Sequence, residues 1–486
     1  MAYRHGVYVS EQPTSLTAPI QGSAGLQVVF GTAPIHLSDD PAAAVNTPKL
    51  CYSFAECVAA MGYSDDFDQF TLCQSIDASF RIFNVAPIIL VNVLDPKNPR
   101  HIEVNPEDSF PVTGGQVLYT VHNVLADTLV VKNSGAALVP ESDYITARDS
   151  DGNIIITLLS TAAQEATSLD ISSTSINPAG VTAADVVGGV DAATGKETGL
   201  ELVRQIFPRF GLVPGLLLAP GWSHEAVVAA ALQAKVEKIN GVYTCSCYLD
   251  IAADESGAAV YTDVKNAKEA MGANTNHGAA LWPMVAVGSK IYYYSAMFAA
   301  LTAYTDANNG DVPIVSPSNE ALRVTATVLK DGTEVMLDQE QANLLNGQGV
   351  ISAINANGFR SWGNNTAAFP GTTDPKDRWL AVRRFFDWDG NNFILTYFQK
   401  VDQPANTRLI QDIVDTQNII GNGFVSRGYC ATYRMEFRES ENPPTNLLNG
   451  ILTVHTMMTP FPPAEVIENI REFDVSALSA ALTGGA

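Results

Sequence analysis

Gly215-Leu216-Leu217-Leu218-Ala219 is followed at once by Pro220-Gly221 and then by Ser223–Ile239, a long run of helix formers. A short apolar strand that turns into a helix is the first half of a β-α-β unit. The pattern repeats downstream. Strands are predicted at Val242–Leu249 and Ala279–Val287, and helices at Thr262–Met271 and Ser295–Asn308. In the first helix Val227, Val228, Ala231, Leu232 and Ala234 read as the buried side, with Lys235 and Lys238 in the last turn and Asn240-Gly241 as the stop. Ser223 reads as its N-cap, with Glu225 in the first turn. Alternation over 200–310 predicts a sheet covered by helices.

Working outward, 21–98 carries the same signals. Leu26–Gly31 is an apolar strand stopped by Gly31 and Pro34, and Ile88–Leu94 is a buried strand closed by Asp95-Pro96. Ser53–Met61 reads as a helix with Ser53 and Glu56 at capping-box spacing. Residues 99–185 change character. Thr, Ser, Val and Ile dominate, turn formers recur, and short strands are predicted at Gln116–Val121, Thr128–Lys132 and Asn153–Leu158. With 3 basic and 11 acidic residues the segment carries net −8, which suits a solvated insert. The predicted class is α/β (multidomain α+β): a helix-covered mixed sheet core with an inserted small β domain and extended arms. The expected divisions are a linker arm at 1–20, core at 21–98, the outer β domain at 99–185, core again at 186–370, an inner domain at 371–474 and a tail at 475–486.

Composition narrows the function. The 486 residues are 46% hydrophobic and 16% charged, enough apolar material for packed cores. A formal charge of −23 disfavours nucleic acid and anionic membrane surfaces as partners. No apolar run reaches transmembrane length, and the start lacks a signal-peptide core, so the chain is expected to stay in the cytosol where it is made. Six cysteines in this length do not form a disulfide framework and are expected reduced and buried.

Catalytic patterns fail one by one. Gly221-Trp222-Ser223-His224-Glu225 occupies the place of a nucleophile elbow but ends in Glu225, not Gly. Gly188–Glu197 resembles a phosphate loop only loosely; its spacing puts Val190 and Glu197 where Gly and Ser/Thr belong. Cys245, Cys247 and His224 lack zinc-site spacing, and burial on a strand face explains the cysteines better. Asp387/Asp389 and Asp412/Asp415 alternate with basic residues and read as salt-bridged surface. Neither an enzyme nor a cofactor or metal site is predicted.

The ends and the stretch 375–440 stand apart. Gly6-Val7-Tyr8-Val9-Ser10 is β-prone and is followed by Pro13 and Pro19, so it makes an extended arm that cannot bury itself. Ala464–Asp474 mixes charged and apolar residues in an extended tail, and Gly484-Gly485-Ala486 is expected to fray. Residues 375–440 hold 9 basic and 8 acidic residues, so they escape the acidic bias and are expected to meet a different surface. Within them Leu409, Ile410, Ile413, Val414 and Ile420 form a helical stripe opposite Arg408, Gln411, Asp412 and Asp415.

The chain resembles the contractile tail sheath proteins of myophages and phage-tail-like particles. The matching residues are Gly6–Val9, Gly31-Thr32-Ala33-Pro34, Ser295–Ala300, Ser316-Pro317-Ser318-Asn319, Asn343–Gly347, Asn357–Asn364, Asp377–Arg384, Asn442–Leu447 and Phe461–Glu465. Their order spans most of the chain, and none falls in 99–185. The resemblance implies a structural subunit that polymerises helically around an inner tail tube, then contracts and drives the tube through a cell envelope. It implies baseplate and tail terminator proteins as further partners, and a virion tail assembled in the bacterial host cytoplasm. It also implies arms that add strands to a neighbour's sheet, which matches the β-prone ends; Val7, Tyr8, Val9, Val466, Ile467, Ile470 and Phe473 are the arm candidates. Lacking a nucleotide site, such a lattice would store its energy in assembly. Arg383, Arg384 and Arg408 are the tube-facing candidates, with pairing to nearby aspartates the competing reading. The alternatives are an α/β enzyme or nucleotide-binding protein, or another phage structural component of capsid or baseplate.

Overall fold

A computed structural model describes residues 23–149 and 152–484. Val7, Tyr8 and Val9 lie outside the described residues. The centre is one mixed sheet built from β1 (Gln27–Gly31), β2 (Lys49–Cys51), β3 (Ile88–Asn92), β4 (Leu216–Leu218), β5 (Ser246–Asp250), β6 (Gly278–Leu281), β7 (Val350–Asn355) and β8 (Phe359–Trp362). The order is β2-β3-β1-β4-β5-β6-β7-β8. Strands β3 through β7 in that order are parallel, and β2 and β8 close the two edges antiparallel. Parallel central strands must be covered on both faces, and β1, β3, β4, β5 and β6 are buried throughout.

The covering helices include α1 (Phe54–Met61), α2 (Ala226–Glu237), α3 (Val264–Met271) and α4 (Tyr294–Asn308). Ser53 caps α1 as expected, accepting from the Glu56 N–H at 3.2 Å, while the Glu56 carboxylate accepts from the Tyr52 N–H. Helix α4 is buried on nearly every side, so it shows no polar face. Helix α2 differs from its expected form. It starts three residues later, Val227 points to solvent, and Val228, Ala229, Leu232 and Val236 make the buried side.

Ser223 does not cap α2. Its Oγ donates to Asp250 Oδ2 at 2.9 Å and accepts from the Asp250 N–H at 3.0 Å. Asp250 also accepts from the Ser295 N–H at 2.7 Å and Oγ at 2.5 Å. One buried carboxyl thus ties the end of β5 to the start of α4; burial, opposed by these hydrogen bonds, pushes it up to about 6. The predicted strand over 279–287 is two strands in two sheets. Trp282-Pro283 separates β6 from Met284–Val287, because a proline has no N–H to give to the ladder.

Residues 102–176 form two small antiparallel sheets, one of four strands and one of three. Val117, Tyr119, Ile156, Leu169 and Ile171 pack there in an apolar cluster separate from the main core. All six cysteines are free and buried.

Candidate assembly surfaces

The segment after 379 builds a third apolar cluster. Helix α5 (Leu380–Tyr397) and helix α6 (Thr407–Ser426) form a hairpin, and strands β9 (Cys430–Glu436) and β10 (His455–Pro460) pair antiparallel beside α6. Phe385 and Trp388 of α5 meet Phe424 of α6 at 5.9 and 5.7 Å between ring centres. Gly421 makes the sheet's approach possible, since a Cβ there would lie 2.0 Å from the Tyr433 ring of β9. Asn418 holds the other end of the strand, donating to the Met435 C=O and accepting from its N–H, both at 2.8 Å.

A polar chain runs through this packing. Tyr397 donates to Gln417 at 3.2 Å, Gln417 donates to the Tyr433 hydroxyl at 2.6 Å, and Tyr433 donates to Asp389 at 3.0 Å. Asp389 has no ion pair among the described residues. Burial pushes its carboxyl up to about 7, with the Tyr433 hydrogen bond pulling the other way.

Two of the three arginines expected to face a tube are engaged within the subunit. Arg384 is buried; it donates in a fork to both oxygens of Asp306 on α4 and to the Ala24 C=O at 3.0 Å. A guanidinium this far inside needs a carboxylate, and the fork supplies it. Arg383 pairs with Asp387 at 2.9 Å and Asp377 at 3.3 Å, and Asp387 also meets His277 at 3.0 Å. The near-neutral charge of 375–440 therefore arises largely from pairs closed within the subunit, including Lys400–Asp412 at 2.6 Å. Arg408 is exposed at the start of α6 and has no ion pair among the described residues. Arg427, which the sequence pattern did not single out, also has no carboxylate partner there; it packs on Phe424 and Tyr429. Of the expected stripe on α6, Leu409 is buried, while Ile410, Ile413, Val414 and Ile420 are only half covered.

The C-terminal arm is bare. From 461 to 474 the chain forms neither helix nor strand. Val466, Ile467, Ile470 and Phe473 are 82%, 88%, 85% and 73% exposed. One ion pair, Glu465 with Arg378 at 3.1 Å, holds its start. Among the described residues no strand pairs with the outer edge of β10. Open edges and exposed apolar runs are what a folded monomer normally avoids.

No protein-family model matches the chain. In sequence it is 27% identical to the tail sheath protein of Burkholderia phage BcepMu over 95% of each chain. It is 26% identical to the tail sheath protein of Escherichia phage P2, covering 58% of this chain and 69% of that one. The chain is a homologue of phage tail sheath proteins. Solved sheath structures share the fold. The sheath complex of the extracellular contractile injection system PVC, in its contracted state, superposes with a TM-score of 0.58 at 14% identity, covering 98% of this chain and 99% of that one. The contracted helical sheath of the anti-feeding prophage gives 0.56 at 15% identity, covering 98% and 100%.

The homology assigns this sheath relative a structural role and not an enzymatic one. Gly189–Val190 and Glu197–Thr198 form a small hairpin that leads into a 3-10 helix at Gly199–Gln205, and Glu197 stands where a phosphate loop carries Ser or Thr. Among the described residues no group of His, Cys, Asp and Glu is placed to hold a metal ion, and no helix is long and apolar enough to cross a membrane.

Proposed function

We propose that the chain is the subunit of a contractile tail sheath, polymerising helically around an inner tail tube and shortening to drive it through a target envelope. The observation that carries this reading beyond the homology is the pairing of a bare apolar arm with an open sheet edge in the same subunit. The arm of one copy, through Val466, Ile467, Ile470 and Phe473, adds to the β10 edge of the next. Each inter-chain backbone hydrogen bond so formed is worth a net ~0.5–1.5 kcal/mol. An arm that gives its strand to a neighbour and receives none back makes a head-to-tail contact, which extends as a helix. Residues 1–20, through Val7, Tyr8 and Val9, act as the second link. Arg408 is the remaining tube-facing candidate, exposed and without an ion pair, whereas Arg383 and Arg384 serve the subunit's own packing. Baseplate and terminator proteins bound the sheath in the virion tail, assembled in the host cytoplasm.

Electron microscopy of the purified chain tests this. The intact protein should form hollow helical tubes. A chain ending at Pro460 should stay monomeric with unchanged circular dichroism of its core. Tubes formed as readily without the arm would refute the linkage.

A further inference from the structure

Past the bare arm the chain forms α7 (Val475–Leu482), capped by Asp474, whose side chain accepts from the Ala477 N–H at 3.0 Å. No residue of α7 is buried. Val475, Leu478 and Leu482 lie on one face at helical spacing, and 475–484 holds no charged residue. An isolated helix of two turns is not stable in water, so α7 needs a surface to lie on. The same subunit has a matching recess. Between α5 and α6 a hollow of about 220 Å³ is lined by Phe393, Thr396, Ile419, Ile420, Gly423 and Phe424. Ile419 is exposed there, and Gly423 has no side chain to keep a second helix away; a Cβ at Gly423 would have nothing but Arg427 Nη2 near it, at 3.7 Å.

We propose that α7 of one copy docks in the α5–α6 recess of a second copy. This rests on the sheath reading, in which the arm before α7 has joined that copy's β10 edge. Phe424, in the recess, and Cys430, paired with Pro460, belong to one apolar cluster. A strand laid along β10 and running with it therefore ends beside Phe424, and Asp474 is followed directly by the helix. The stretch 461–474 is fourteen residues, with a reach of about 46 Å at ~3.3 Å each, ample to cross between copies. The arm thus carries two different locks: a strand that supplies register through backbone bonds, and a helix that supplies apolar burial.

Disulfide trapping tests it in assembled sheath. One copy carries Leu478→Cys and the other Ile420→Cys; the native cysteines are buried and do not compete. A cross-link between the two copies is expected in tubes and not in dilute monomer. Independently, Leu478→Asp with Leu482→Asp should raise the concentration needed for tubes at least tenfold, while leaving the monomer folded. Tubes that form at the normal concentration with the double variant, without the cross-link in the cysteine pair, overturn the docking. If the unmodified chain makes no tubes at all, the sheath reading itself falls.

Discussion

Asp389→Asn tests the buried polar chain behind β9. In the folded protein the Asp389 carboxyl is pushed up to about 7 from an ordinary value of 3.8. Between those two pH values the unfolded chain has released a proton that the folded chain still holds. Stability therefore falls as pH rises through that window, and levels off above about 7. At 1.36 kcal/mol per pH unit the ceiling on the loss is about 4 kcal/mol. Asparagine keeps an acceptor for the Tyr433 hydroxyl and carries no charge to bury. The variant should match the parent near pH 4 and exceed its stability by up to about 4 kcal/mol at pH 8. Urea unfolding of dilute monomer across pH 4–8 measures the difference. Asp250 and Asp311, each raised to about 6 by burial, add slope of the same sign, but they do so in both proteins and cancel. A difference that stays flat with pH, or an Asn variant weaker than its parent at pH 8, would refute the assignment.

Two further outcomes follow from buried contacts. Arg384→Met strands the Asp306 carboxylate without its partner and should cost about 3–5 kcal/mol in urea unfolding; adding Asp306→Asn should restore most of it, since the loss comes from an uncompensated charge. Gly421→Ala puts a methyl group 2.0 Å from the Tyr433 ring, so the sheet must lift away from α6. A loss of about 1–3 kcal/mol in thermal unfolding, with tube formation impaired, is expected, and an unchanged melting temperature would argue that β9 is loosely held.

The core strands were legible because their signal is local. Leu216–Leu218 and Ile88–Asn92 are apolar runs bounded by turn residues, and no other reading suits them. The errors fall where tertiary contacts outvote local preference. Ser223 has the chemistry and position of an N-cap, yet a buried Asp250 across the sheet claims its hydroxyl. Arg383 and Arg384 look alike in sequence; only the fold shows that one reaches Asp377 and Asp387 while the other is sealed against Asp306. Charge counting over 375–440 could not separate paired from free cations, which is why Arg408 survives as a surface candidate and Arg427 was missed. Helix α7 escaped because eight uncharged small and apolar residues at a chain end carry no boundary signal except Asp474. The bare segment 461–474 was legible for the opposite reason: an apolar stretch that cannot bury itself in its own subunit stands out without its destination being known.

Residues 23–24 and the segment that leaves β10 meet in one place. Ala24, the first apolar residue after the N-terminal segment, sits in the same cluster as Phe385, Trp388, Phe424, Cys430 and Tyr433, against which Met458 of β10 packs. Arg384 reaches across to hold the Ala24 C=O while its fork grips Asp306, and Ser23 Oγ lies 3.4 Å from Asp311. The chain leaves this cluster at one end toward residue 1 and at the other through Pro460. In the proposed lattice, tension passed between neighbours along either arm would enter the subunit through this cluster. In that lattice the buried arginine would be part of the mechanical anchor, because it ties Ala24 and its own helix α5 to helix α4 and through it to the main core.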